Sequence, residues 1–349
     1  MSSHKVKSWS EPSAQATRNF HLGAGCVCAA TFIFSLIGSH ISAIETSSPV
    51  SLVFALLLCV GAVLPVAVYW HDKCRPEMRE AILTIAWAMI VIFTLPPAVL
   101  VLGRIGTPLQ DELFVRMDQA LGVSVPAITA WSAQHLAGRI ISATYPLLFL
   151  LIPVAIIAPA VTGRWAVARQ FIIANIVAYL IGFTIFAIAP AVGPWYGFHF
   201  TPDAGQRLCQ AELLTLRAPG PFVPQTPGIV CCPSFHVIWA ILSACALWNI
   251  RTLRIPASLL AFLIVLSTIT TGWHYFTDVL AGIGVALFAQ WSALRLCASA
   301  GFPRKALLSN QRTFVGLVIS AHSTSNPAAA SPAPPSPHCD VSASPAEQS

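Results

Sequence analysis

Two histidines in this chain stand beside residue types that would make them chemically useful. His274 and Asp278 are four residues apart, so on a helix they share one face. A carboxylate in that place accepts a hydrogen bond from one imidazole nitrogen, which sets the tautomer and leaves the other nitrogen free to attack. His236 closes the run Pro233-Ser234-Phe235-His236, which has the pattern of a helix start. Proline suits a first turn, and the unpaired N–H groups of a helix N-terminus favour an anion such as phosphate. The Ser234 hydroxyl can donate to a phosphate oxygen, and a protonated His236 can give its proton to a departing oxygen. Nucleophile, orienter, acid and anion cradle together describe phosphoryl transfer. Taken singly, each motif also has a plainer reading, as a cap or a polar anchor at the end of an apolar helix.

Such chemistry needs both motifs in one place, and the elements that carry them are apolar. Of the 349 residues, 56% are hydrophobic and 9% charged, against roughly 25% charged in soluble domains. Crossing a bilayer takes about 20 apolar residues. The runs 22–43, 49–70, 81–102, 140–161, 168–189, 235–250, 255–272 and 274–297 satisfy that requirement or approach it. They predict an all-α integral membrane protein with about eight transmembrane helices. The first run exceeds a signal-peptide core and is expected to be retained. Run 235–250 is short, which suits a helix that begins at a sunken site.

Lysine and arginine positions set the expected topology. Clusters of them fall at Lys5, Lys7 and Arg18; Lys73, Arg75 and Arg79; Arg164 and Arg169; Arg251 and Arg254; and Arg295, Arg304 and Lys305. Every second connection is therefore basic, which assigns those connections and both termini to the cytoplasm. The segments 44–48, 103–139, 190–234 and the turn near 273 face outward, to a periplasm or lumen. This brings His236 and His274 to one face without reference to either motif.

Within 103–139, Leu113, Met117 and Leu121 recur at helical spacing between Asp111, Glu112, Arg116 and Asp118. That predicts an amphipathic interfacial helix over 109–122. Segment 190–234 is rich in proline, glycine and aromatics, and from Ala321 a Ser/Ala/Pro-rich tail cannot form a core. The net charge of +6 is scattered in small clusters, which excludes a nucleic-acid-binding face. Most of the ten cysteines lie in apolar runs and no CxxC pair occurs, so a zinc site has little support. Cys209, Cys231 and Cys232 share the outward segment, where an oxidising compartment would permit a bridge.

Pro233-Ser234-Phe235-His236 followed by His274-x-x-x-Asp278-x-x-Ala281-Gly282 resembles the type 2 phosphatidic acid phosphatase superfamily. The Gly272-Trp273-His274-Tyr275-Phe276-Thr277-Asp278 run and Gly193-Pro194-Trp195-Tyr196 are closer to its inositol phosphorylceramide synthase-like branch. Pro108-Leu109-x-Asp111 and Asp118-x-x-Leu121-Gly122 are similar to bacterial members of that branch. The resemblance covers roughly 81–297. It implies a catalytic core over 81–300, preceded by two additional spans over 22–80. Segments 1–21 and 301–349 would be a cytoplasmic N-terminal segment and a disordered cytoplasmic tail, with the bacterial inner membrane as the expected location. It also implies a metal-independent reaction with no cofactor, in which His274 becomes phosphorylated, Asp278 orients it and His236 protonates the leaving alcohol. The substrate would be a membrane lipid phosphoester, and the acceptor water or a polyol. Ser234, Gly272, Tyr196 and Arg207 are the expected substrate- and phosphate-binding residues.

The chain departs from the phosphatase branch in two places. That branch carries K-x6-R-P, whereas the Arg-Pro pair here, Arg75-Pro76, has Val68 at the lysine position. It also has arginine after the serine of its third motif, where Ser267 is here followed by Thr268. The inositol phosphorylceramide synthase-like branch lacks both cations too. Arg207, Arg217 and Arg139 are candidate replacements, although each also reads as a snorkelling surface arginine. His199 shares the outward segment and is a candidate for the site's edge, whereas Tyr275 reads as an interfacial aromatic. Two other classes remain: a transporter using the polar groups as a substrate path, and a non-catalytic membrane subunit.

Overall fold

In the computed structural model of the protein, residues 14–45, 76–225 and 229–302 are described. They form helices because an apolar chain in a bilayer must satisfy its own backbone polar groups. Among them there is no strand, only an isolated parallel bridge between Ile44 and Phe222. The first helices are α1 (Ala14–Ile41), α2 (Pro76–Thr94) and α3 (Ala98–Arg104). Pro96 and Pro97 interrupt the hydrogen-bond ladder between α2 and α3, as proline must. Next come α4 (Asp111–Ala120), α5 (Val125–Gln134) and α6 (Leu136–Ser142). A 3-10 turn over Tyr145–Leu147 leads into α7 (Leu148–Val161), followed by α8 (Trp165–Ile188) and the single turn α9 (Pro194–Gly197). The last four are α10 (Ala204–Arg217), α11 (Phe235–Leu247), α12 (Arg254–Thr270) and α13 (Phe276–Ser299).

Five stretches are long and apolar enough to cross a membrane: Gln15–Ile41, Met78–Arg104, Leu136–Val161, Trp165–Ile188 and Phe276–Ser299. The protein is an integral membrane protein. Helices α11 and α12 are apolar but shorter. Seven of the eight expected runs thus coincide with helix, and run 49–70 lies outside the described residues. At about 1.5 Å per residue, the 13 residues of α11 span about 20 Å, short of the ~30 Å hydrocarbon core. It packs against α7, α8, α12 and α13.

Of the arginines expected to mark the cytoplasmic side, Arg169 behaves differently from a surface charge. Arg169 lies inside α8, 1% exposed, where it pairs with Glu80 of α2 and donates to Thr17 Oγ1 of α1 at 3.0 Å. It joins three helices. Arg164 is the residue preceding α8.

The expected amphipathic interfacial helix is α4, whose apolar stripe is free to face the lipid interface. Leu113, Met117 and Leu121 point away from the protein at 38%, 43% and 54% exposure, while Asp111 and Asp118 are buried. The carboxylates face inward because they have backbone donors to meet. Segment 190–234 contains a further helix, α10, which begins with a capping box between Asp203 and Gln206. Reciprocal arginines hold α10 to α3: Arg104 donates to the carbonyls of Leu216 and Gly220, and Arg217 to those of Gly103 and Thr107.

Candidate active site

Helices α11 and α13 start side by side, which brings the two histidine motifs together. Ser234 is the N-cap of α11, its Oγ accepting from Val237 N at 3.4 Å. Its own backbone N–H donates to the carbonyl of Asp278 at 3.4 Å. Gly282 permits this approach, since a Cβ there would lie 2.8 Å from the Ser234 carbonyl oxygen. Pro233, read from sequence as a first-turn residue, instead precedes the cap.

The turn before α13 carries His274 and is held from several sides. Gly272 adopts a φ of +72°, a conformation that favours glycine. The Gln206 amide donates to the carbonyls of Thr271 and Gly272, both at 3.3 Å. The His274 N–H donates to Thr268 O at 3.2 Å. Beyond the turn, Asp118 accepts from Phe276 N, Thr277 N and Thr277 Oγ1, each at 2.9 Å. These are the otherwise unpaired donors of a helix N-terminus, which also favours a negative charge. Asp111 accepts from Val192 N and Gly193 N at 3.0–3.1 Å, and Tyr275 Oη lies 2.8 Å from it and 2.9 Å from Gly193 O. Tyr275 is fully buried as a strut between α4, the 192–193 segment and α13, not an interfacial aromatic.

His274 Nδ1 lies 3.0 Å from Asp278 Oδ2 and 3.0 Å from the Cys231 carbonyl. Two acceptors at one nitrogen fix the tautomer that bears its proton on Nδ1, leaving the lone pair on Nε2. Asp278 is fully buried, and its Oδ2 also accepts from Tyr275 N at 3.2 Å and Cys231 Sγ at 3.1 Å. Burial, reinforced by the neighbouring Asp278 carboxylate, pushes the Cys231 thiol well above its ordinary range, so it stays protonated as a donor. Cys231 Sγ, His274 Nδ1 and Asp278 Oδ2 lie within 4.8 Å of one another, a donor set with metal-ligand chemistry. Here each atom is engaged in the hydrogen bonds just described. Cys209, Cys231 and Cys232 are all free thiols.

His236 faces His274 across a cavity of about 130 Å³ that both line, with ring centroids 5.8 Å apart. Its ring stacks on Tyr145 at 4.2 Å between centroids, and Tyr145 Oη lies 3.3 Å from Nδ1. Its Nε2 is buried without a hydrogen-bond partner. Tyr145 reaches this place because the 3-10 turn between α6 and α7 breaks the span there. Trp195, Trp239 and Trp273 complete much of the lining, with Trp195 edge-on to Trp273 at 5.5 Å.

The remaining expected site residues lie elsewhere. Ser234 is fully buried at its cap, and Gly272 shapes the turn; neither lines the cavity. Tyr196 is 37% exposed, and Arg207 is exposed and donates to Pro202 O at 2.6 Å. Arg139 and His199 are exposed outside the lining, and Arg217 is occupied with α3. No lysine or arginine lines the cavity among the described residues. Thr268, at the position where the phosphatase branch has arginine, turns its hydroxyl back to Val265 O. Backbone N–H groups therefore offer the nearest positive potential: Phe235 and His236 open α11, and neither amide has a partner among the described residues. The sequence alone gives no site role to Tyr145, Asp111 or Asp118. Asp111 and Asp118 were visible there as charges within an apolar pattern, whereas nothing local distinguishes Tyr145.

No curated protein and no solved structure shows significant similarity to the chain. A family model described as the PAP2 superfamily matches residues 112–292, more than half of the 349 and including Asp118, His236, His274 and Asp278. The chain thus belongs to the PAP2 superfamily, whose shared chemistry is phosphoryl transfer.

Proposed function

We propose that this protein is a membrane-embedded enzyme that transfers a phosphoryl group from a lipid phosphoester through His274. In this reading His274 Nε2 attacks phosphorus, a P–N bond forms, and the P–O bond to the lipid alcohol breaks as His236 gives that oxygen its proton. Water or a second alcohol then attacks phosphorus, returning a proton to His236 and releasing His274. Asp278 keeps the nucleophilic tautomer in place and stabilises the positive charge that the ring acquires. The amides opening α11 receive phosphate oxygens, and Ser234 supports that cradle as its cap. The reaction needs no metal in this scheme, because positioning and fixed dipoles carry it. The charge pattern supports cytoplasmic termini and a site open to the periplasm or lumen. The observation that carries the proposal is the pair of imidazoles on one cavity, 5.8 Å apart, one with an oriented tautomer and the other with an unpartnered nitrogen.

The lack of lysine and arginine in the lining, among the described residues, favours a particular ester. A phosphate monoester carries about −1.5 to −2 charge near neutrality, whereas a diester carries a single charge. With no lysine or arginine on the cavity among the described residues to balance a second negative charge, a diester fits better, and this supports headgroup transfer of the inositol phosphorylceramide synthase-like kind over hydrolysis of a monoester. The test is to incubate purified protein with lipid phosphodiesters and monoesters, with and without alcohol acceptors. New phospholipid appearing only with donor and acceptor together establishes transfer. Free phosphate from monoesters alone would assign hydrolysis instead.

A further inference from the structure

A second cavity adjoins the histidines. It measures about 440 Å³ and lies between α2, α7 and α8, with Ala88, Ile92, Ile156 and Phe171 in its wall. The wall is almost wholly hydrocarbon: the Asn175 amide within it is turned back onto Phe171 O at 2.8 Å. Two aromatic residues connect it to the catalytic cavity. Trp239, one turn along α11 from His236, lines both, and Phe149 lines the larger one while meeting the His236 ring edge-on at 6.2 Å.

Water finds too few polar partners in such a space, and the volume falls within the ~300–1,000 Å³ of ligand sites. We propose that this cavity receives one hydrocarbon chain of the lipid whose phosphoester sits at His236 and His274. The assignment rests on the phosphoryl-transfer reading above. Transfer of a chain from bilayer to this cavity exchanges one hydrocarbon environment for another, so it adds little affinity. What it adds is position. A chain threaded past Trp239 and Phe149 sets the depth and orientation of the ester, and alignment of reacting atoms is a large part of catalysis in such reactions.

The full-length protein is assayed with two esters that share a headgroup and differ in chain length, long against very short. Ala88, 3% exposed in the cavity wall, is replaced in Ala88→Trp to fill the space. The ratio of kcat/KM for the long ester to that for the short one is expected to fall at least tenfold. An unchanged ratio in an active variant overturns the assignment. Wild-type protein supplies the second measurement, independent of how the variant folds: a substrate with a photoreactive group midway along its chain should label residues 85–93 or 171–179. Labelling confined to other segments, or equal labelling by a phosphate-free lipid of the same chain, overturns the assignment as well. If wild-type protein turns over neither ester, the catalytic reading itself fails and takes this one with it; turnover of both with an unchanged ratio removes only the chain site.

Discussion

His236 Nε2 is buried with no partner among the described residues, a condition that costs free energy unless a ligand supplies the missing atom. His274 is the opposite case, with Nδ1 held by two acceptors. That difference separates the roles. His274→Ala should abolish turnover while the protein still inserts and binds detergent-solubilised lipid, measured by activity beside thermal unfolding; full activity would sink the nucleophile assignment. His236→Ala should lower kcat by roughly 10²–10⁴ for a lipid alkoxide leaving group, the usual share of general-acid catalysis. The loss should be much smaller for a p-nitrophenyl ester, whose leaving group needs no proton. Equal losses on both esters would show that His236 does something other than protonate.

Helix α4 braces the start of α13, next to the turn that carries His274. Asp118 satisfies two backbone donors and a hydroxyl at the start of α13, the helix that carries Asp278. Asp118→Ala leaves those buried donors unpaired, at about 2–4 kcal/mol. We expect a lower unfolding temperature and a fall in kcat out of proportion to any change in KM, because His274 loses its fixed position and not its substrate contacts. An unchanged kcat in a destabilised protein would confine Asp118 to stability. The turn at Tyr145–Leu147 acts at the same scale: a break in one span places a tyrosine ring against His236.

Across the whole molecule, charge serves two purposes that look alike in sequence. Arg169 follows the alternation that orients the chain, yet it is buried and paired with Glu80. Glu80 is partly exposed, but removing it leaves the buried Arg169 without its carboxylate, so Glu80→Ala should destabilise the protein, read as a lower unfolding temperature in detergent with kcat retained in the folded fraction. Loss of activity without loss of stability would show that Arg169 acts on the site. The topology has its own check. A green fluorescent protein fused to the C-terminus should fluoresce and an alkaline phosphatase fusion there should be inactive, since the first needs the cytoplasm and the second an oxidising compartment; the reverse pattern would turn the site inward.

The apolar runs, the four-residue spacing of His274 and Asp278 and the lysine and arginine alternation are local properties, so composition and periodicity revealed the helices and suggested one face for both histidines. The structure places those histidines on one cavity, together with Tyr145 from 91 positions before His236. Period could not say which side of α4 faces inward. Leu113, Met117 and Leu121 mark a stripe suited to the lipid interface, while Asp111 and Asp118 turn inward to donors at Gly193 and at the start of α13. The same holds for the arginines: Arg207 and Arg217 each carry the charge a phosphate needs, and only packing directs them to carbonyls of Pro202, Gly103 and Thr107. Sequence determines which groups are present and how neighbours along a helix align; which buried donor meets which acceptor is settled by contacts between residues far apart in the chain.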